Sequence, residues 1–340
     1  MIVESDISLR ALLIFIQELE FNDQKCLHCR DNYLLLYFWI LFNLFALGML
    51  VLDLKIFHRA GHVVRFREAL GWSAMYVVLA LLFAGGLYFW QGPQSSLEFL
   101  TGYVLELSLS VDNLFVFLVI FRYFSVPEPQ QHRVLFWGII GALVMRGIFI
   151  VAGVGLIHRF HWILYAFGAL LVYSGIQLAL SGGHSVNPAK NPVVRLVRRV
   201  LPVTQNYHNG KFFVRENSVR SATPLLIVLL VIETSDVLFA VDSIPAILAI
   251  TLNAFIVYTS NVFAILGLRS LYFAISGLMK IFRFLHYGLA LVLVLVGTKM
   301  LLSNFFRVPI HITLAAIAGV LLIAVALSML FPQSPEKSNT

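Results

Sequence analysis

The chain has 340 residues, 60% of them hydrophobic and 12% charged, with a mean hydropathy of +0.88. Soluble domains carry about 25% charged residues, so this composition excludes a soluble fold and implies a polytopic membrane protein. The formal charge of +7 is gathered into particular segments, which argues against nucleic acid as its partner.

Residues 1–32 read as an external extension. Their acids Glu4, Asp6, Glu18, Glu20, Asp23 and Asp31 outnumber Arg10, Lys25 and Arg30, as suits a translocated segment, and no cleavable signal is evident. The chain's two cysteines sit here, in Cys26-Leu-His28-Cys29. One Cys-x-x-Cys without a second ligand pair is weak evidence for zinc. A local disulfide or an incidental pair is the plainer reading, and a redox role is the alternative.

A single transmembrane domain is expected over 33–331, followed by a cytoplasmic tail at 332–340. Spanning a bilayer takes roughly 20 apolar residues. Nine stretches qualify, at about 34–54, 70–90, 98–121, 134–157, 161–181, 223–250, 254–278, 284–303 and 309–331. The fold class is therefore all-α. Asp53 ends the first span and reads either as a solvated acid beside Lys55 or as a further ligand. Tyr37, Trp39, Trp72, Trp90, Trp137 and Trp162 read as interfacial belts, and His58, His62, His158, His161 and His286 as packing near span ends.

Lys55, Arg59, Arg65 and Arg67 follow the first span. Lys190, Arg195, Arg198, Arg199, Lys211, Arg215 and Arg220 fill the loop at 182–222, whereas loops 91–97 and 251–253 carry no basic residue. Alternation of this kind follows the positive-inside rule. It implies an inner-membrane protein with the N-terminus outside and the C-terminus in the cytoplasm; single charges at Arg159 and Arg307 do not overturn it. The 182–222 loop reads as a linker, with a short basic amphipathic segment at 193–201 lying on anionic headgroups.

Two clusters stand out inside apolar spans: Glu106-Leu-Ser-Leu-Ser-Val-Asp112-Asn113 in the third, and Glu233-Thr-Ser-Asp236-Val-Leu-Phe-Ala-Val-Asp242-Ser243 in the sixth. Each acid costs roughly 2.5–3.5 kcal/mol at mid-membrane by insertion scales. Five of them in two similar clusters imply a cation. The units 98–181 and 223–303 match further: Glu106 and Asp112 are six apart, as are Asp236 and Asp242, and each following span carries one arginine, Arg146 or Arg269. Loop charges give the two units opposite topology. Inverted repeats with acids in matching spans are a transporter signature, with the site near mid-membrane.

Glu233 and Asp236 are three apart, so one helical face presents both. Glu106 and Asp112 lie about 120° apart on a regular helix and converge only if it is interrupted. Pro245 is expected to interrupt the second unit's helix, freeing carbonyls as ligands. Ser108, Ser110, Asn113, Thr234, Ser235 and Ser243 add neutral oxygens. A donor set of hard oxygen suits Mn²⁺, Mg²⁺ or Ca²⁺ rather than zinc or copper. Arg146, Arg269 and Lys299 are the counter-charges, either structural partners of the acids or stand-ins for the metal in the unloaded state.

The stretches Thr101–Asn113, Val231–Ala246 and Ser260–Arg269 closely resemble the TerC family, and most closely its Alx-type members. Phe212-Phe-Val-Arg, Ala222-Thr-Pro-Leu and the run from Tyr287 to Lys299-Met agree with it. The resemblance covers about 33–331; the extension at 1–32 departs from it. Membership implies Mn²⁺ export, with Glu106, Asp112, Glu233, Asp236 and Asp242 as metal-site acids and Asp53 as a matching acid. The expectation is thus a carrier, not an enzyme, with no prosthetic group: a divalent cation (Mn²⁺, or Ca²⁺ or Mg²⁺) is its cargo and the bilayer its other partner. The rival is a non-transporting scaffold for membrane-protein assembly or metal loading of exported enzymes, since some family relatives are linked to those roles. There the acids only pair with Arg146, Arg269 and Lys299.

Overall fold

A computed structural model describes residues 37–52, 66–160, 162–181, 194–195, 199, 202–204, 206–207, 210–216, 219–276, 284–303, 305–306 and 308–330. The chain is mostly helical, and seven helices are long and apolar enough to cross a membrane. These are α2 (Phe66–Gln91), α3 (Pro93–Tyr123), α4 (Glu128–Arg159), α5 (Ile163–Ser181), α6 (Pro224–Leu248), α7 (Ala254–Ser276) and α9 (Ile310–Leu330). Two further apolar helices are shorter, α1 (Tyr37–Leu52) and α8 (Leu285–Leu301). α1 belongs to an N-terminal unit and the other helices to a second unit; within α1 the Asn43 amide donates to the Trp39 carbonyl at 2.8 Å.

Backbone chemistry sets the helix starts. Gly92 takes φ 91° between α2 and α3, a left-handed conformation natural only to glycine. Pro93 then begins α3 at a position where no backbone donor is required. Pro224 does the same for α6. The side-chain oxygen of Asn253 accepts from the backbone N–H groups of Phe255 (3.1 Å) and Ile256 (3.4 Å) to start α7.

Neither acidic helix is interrupted, contrary to the expectation from sequence: α3 runs 31 residues and α6 runs 25 as continuous α-helix. Pro245 lies inside α6 but in its last turn, where one missing donor removes a single ladder bond and leaves the segment around Asp236 and Asp242 regular. The all-α expectation also needs a small correction. Residues within the connecting loop form an antiparallel pair, β1 (Phe213–Glu216) and β2 (Val219–Ala222), in the register Phe213↔Ala222 and Arg215↔Arg220. The extension 1–32 with Cys26 and Cys29, Asp53, most of the segment 193–201 and the tail 332–340 lie outside the described residues.

Packing pairs the helices in a pattern. α3 lies against α7, α4 against α6, and α5 against α8; α3 also meets α6, and α4 meets α7. α2 packs on α3 and α7, and α9 on α3 and α8. The α5–α8 approach needs glycine. A Cβ on Gly297 would sit 2.8 Å from the Gly168 carbonyl, and one on Gly175 would sit 2.7 Å from the Ala290 carbonyl. Close backbone approach through small residues is how helices associate where lipid removes the hydrophobic drive.

Candidate cation site

Arg146 is the centre. It is 1% exposed, and its guanidinium joins side chains from three other helices. Nη1 forms an ion pair with Glu106 of α3 and donates to Oδ1 of Asn261 of α7 at 3.3 Å. Nη2 and Nε donate to the two carboxylate oxygens of Asp236 of α6, at 3.2 and 3.5 Å. Glu106, Asp236 and Asn261 are themselves buried. Each of four helices thus supplies one member of a charged quartet. Two carboxylates against one guanidinium leave the quartet one positive charge short when both acids are ionised, and a buried charge survives in lipid only when paired.

Several polar atoms around this level lack partners. Oε2 of Glu106, Oγ of Ser110, Oγ of Ser243 and Nδ2 of Asn261 are buried without a hydrogen-bond partner. Such groups are costly to leave unpaired. By contrast, Ser108, Thr234 and Ser235 donate to carbonyls one turn back on their own helices, which uses their hydroxyl protons locally.

Of the remaining acids, Glu233 lies within electrostatic reach of Asp236, and Asp242 is held by another helix. Glu233 lies with its carboxylate against Gly141 of α4, in the space a side chain there would fill. Asp242 accepts from Ser174 Oγ of α5 at 2.7 Å, on a different face of α6 from Asp236, as a six-residue separation on a regular helix dictates. The side chains of Asp112 and Arg269 are outside the described set, though both positions lie within helices. Asn113 is buried in α3. Lys299 is half-buried on α8, within electrostatic reach of Glu98. Among the described residues, no three His, Cys, Asp or Glu side chains form a group able to hold a metal ion. Asn261, Ser174 and Gly141 carried no role in the sequence reading.

The two sides of the quartet differ. One side is marked by the hairpin: Tyr207 donates its hydroxyl to the Phe124 carbonyl after α3, Thr223 donates to the Lys211 carbonyl at 2.7 Å, and Tyr272 of α7 donates to Gln131 of α4 at 2.8 Å. Toward this side runs a cavity of about 20 Å³, lined by apolar residues of α3, α4, α6 and α7, with Asp236 the one charged group in its wall. That volume admits about one water. On the far side α4, α6 and α7, with Ile163 of α5, pack around Ile150, Ile244, Ile247, Leu248 and Val257.

Residues 91–337 match the integral membrane protein TerC family. The chain belongs to that family. It is 50% identical over 292 residues to the uncharacterized membrane protein STKORF319 of Myxococcus xanthus, covering 86% of this chain and 92% of that one. It is 46% identical over 283 residues to a protein of Escherichia coli strain K12 named "Putative membrane-bound redox modulator Alx", covering 80% of this chain and 88% of the relative. An uncharacterized membrane protein of Rickettsia bellii is 38% identical over 292 residues, which covers 86% of this chain and 97% of that protein. No solved structure matches.

Proposed function

We propose that this TerC-family protein is a carrier that exports a divalent cation, Mn²⁺ foremost, across the bacterial cytoplasmic membrane. In this reading α1 and α8 complete a nine-span topology with the N-terminus outside, and the hairpin side is cytoplasmic. The observation that carries it is the guanidinium of Arg146 held between Glu106 and Asp236. A fixed cation between two buried carboxylates is the arrangement a divalent ion would displace, leaving a neutral M²⁺–dicarboxylate centre. Arg146 then offsets one of the two acid charges whenever the carrier is empty and eases its return. Glu233, Asp112, Asp242, Asn113 and Ser243 supply further oxygens, with Arg269 and Lys299 as additional counter-charges and Asp53 as a further candidate ligand.

Alternating access between inverted repeats fits the packing. Exchanging α3 with α6, α4 with α7 and α5 with α8 turns the α3–α7 contact into the α6–α4 contact and returns the α5–α8 contact to itself. The glycine contacts follow suit: a shift of 122 residues carries Gly175 to Gly297 and Gly168 to Ala290, so the two close approaches interchange. Both features support a twofold relation lying in the membrane plane.

The test is flux of Mn²⁺, Ca²⁺, Mg²⁺ and Zn²⁺ in liposomes holding the purified protein, with Glu106→Gln, Asp236→Asn and Asp242→Ala as controls. Mn²⁺ flux that Glu106→Gln and Asp236→Asn abolish supports the carrier. Absence of any divalent flux from folded, inserted protein refutes it. The scaffold is the second reading, favoured by the quartet being an ion-paired set as it stands. In that case, exchanging the charges of Arg146 and Asp236 preserves function, whereas a metal site does not tolerate the exchange.

A further inference from the structure

The cavity and the closure on its opposite side are related residue by residue. Its wall includes Leu114 and Phe117 of α3, and Ile232 and Asp236 of α6. A shift of 130 residues, which carries Glu106 to Asp236 and Asp112 to Asp242, carries Leu114 to Ile244, Phe117 to Ile247, and Gly102 to Ile232. On the hairpin side, Phe117 and Ile232 line the one-water cavity. Their counterparts on the far side, Ile247 and Gly102, are in contact: a Cβ on Gly102 would lie 2.8 Å from Ile247 Cδ1 and 3.0 Å from Ser260 Oγ. A side chain at 102 would therefore have to displace the Ile247 side chain, so glycine lets α3 and α6 close here without repacking. Every other residue at that contact is buried. Asp236 stands in the cavity wall; the same shift relates it to Glu106, whose Oε2 is buried and unpartnered.

We propose that Gly102, Ile247 and Ser260 form the far-side gate of the transport pathway, closed here, and that its opening exposes Glu106 along a channel walled by Gly102, Ile244 and Ile247. The proposal rests on the carrier reading above and deepens it. The hairpin-side cavity shuts in that second state, since Phe117 and Ile232 then take up the contact now made by Ile247 and Gly102. A protein with two discrete packings interconverts between them as a population, so bulk placed in the closed contact shifts the balance.

The experiment uses single cysteines in full-length protein carrying Cys26→Ser and Cys29→Ser, labelled with a membrane-impermeant maleimide in right-side-out and inside-out vesicles. Ile232→Cys and Phe117→Cys should label slowly, as the cavity widens transiently, and from the hairpin face only; Ile244→Cys should label more slowly still, from the opposite face. Adding Gly102→Leu should raise labelling of Ile244→Cys from the far face, and lower that of Ile232→Cys, each about tenfold for a modest change in the two-state balance. Ile247→Gly, which removes the contact without adding bulk, should raise far-face labelling of Ile244→Cys too and serves where Gly102→Leu fails to insert. Labelling of Ile244→Cys from the hairpin face, or no gain in far-face labelling with either gate variant, overturns the gate. Labelling needs no metal, so the two readings fail separately. Expected labelling without Mn²⁺ flux keeps the gate and removes the cargo, and Mn²⁺ flux without it does the reverse.

Discussion

Replacing Arg146 with glutamine separates a stand-in for the metal from a purely structural partner. The side chain is 1% exposed and meets Glu106, Asp236 and Asn261 together. At 3.2 Å from Asp236, one charge pair is worth about 5 kcal/mol at an effective dielectric of about 20. Most of this offsets desolvation, and removing one partner of a buried pair costs a net 3–5 kcal/mol or so because the other charge is left uncompensated. Arg146→Gln should therefore lower the unfolding midpoint of the detergent-solubilised protein. Added Mn²⁺ should recover part of that loss, since a ligand that binds only the folded state stabilises it by mass action. In liposomes the variant should exchange Mn²⁺ for Mn²⁺ but fail at net export, because the empty carrier then holds both acids with no fixed cation between them. An Arg146→Gln protein that is as stable as the parent without metal and exports at the parent rate would refute this account.

Gly141→Val should push the Glu233 carboxylate out of the space it occupies on α4 and reduce Mn²⁺ flux severalfold while the protein still inserts; unchanged flux would detach Glu233 from the pathway. Gly175→Ala and Gly297→Ala each force a methyl against a backbone carbonyl or neighbouring Cβ across the α5–α8 contact, and each should cost about 1–3 kcal/mol in denaturant unfolding. Tyr207→Phe deletes the hydroxyl bond to Phe124 and should speed proteolysis within 182–222, at a cost of about 1 kcal/mol. Burial raises the Tyr207 hydroxyl above its ordinary value of 10.0, so this contribution is full below pH 10 and is lost as pH climbs through the raised value. Proteolysis rates that vary between pH 6 and 9 through this residue would contradict that sign. Cys26→Ser with Cys29→Ser should leave export unchanged; loss of export would favour the redox role in the name of the E. coli relative.

The membrane class, the family and the acidic spans were legible because each rests on composition or on short motifs: apolar runs, alternating loop charge and the two acid-bearing segments. Arg146 was visible for a related reason, as an isolated cation in an apolar span needs a partner. Which acid it meets was not legible, because that depends on how α3, α4, α6 and α7 are rotated about their axes, a tertiary property. Asn261 escaped notice although a lone amide in an apolar helix is itself a signal of an interhelical bond. The expected break at Pro245 did not occur because a proline in a last turn has almost no helix left to break. The β1–β2 pair was missed inside a loop read from its prolines and basic charges alone. Gly102 and Gly141 were unreadable for a simpler reason: their importance lies in what is absent from them.

Glu106 and Arg146 belong to consecutive helices, whereas Asp236 arrives only after the connecting loop has been made. During synthesis the α3–α4 hairpin therefore enters the bilayer as an internally neutral pair, with its acid and its base already matched. Asp236 is made later, and the guanidinium it joins is one that Glu106 already meets. The order of the helices along the chain thus lets Glu106 and Arg146 meet before Asp236 is made, and Asp236 joins a site that is already half assembled.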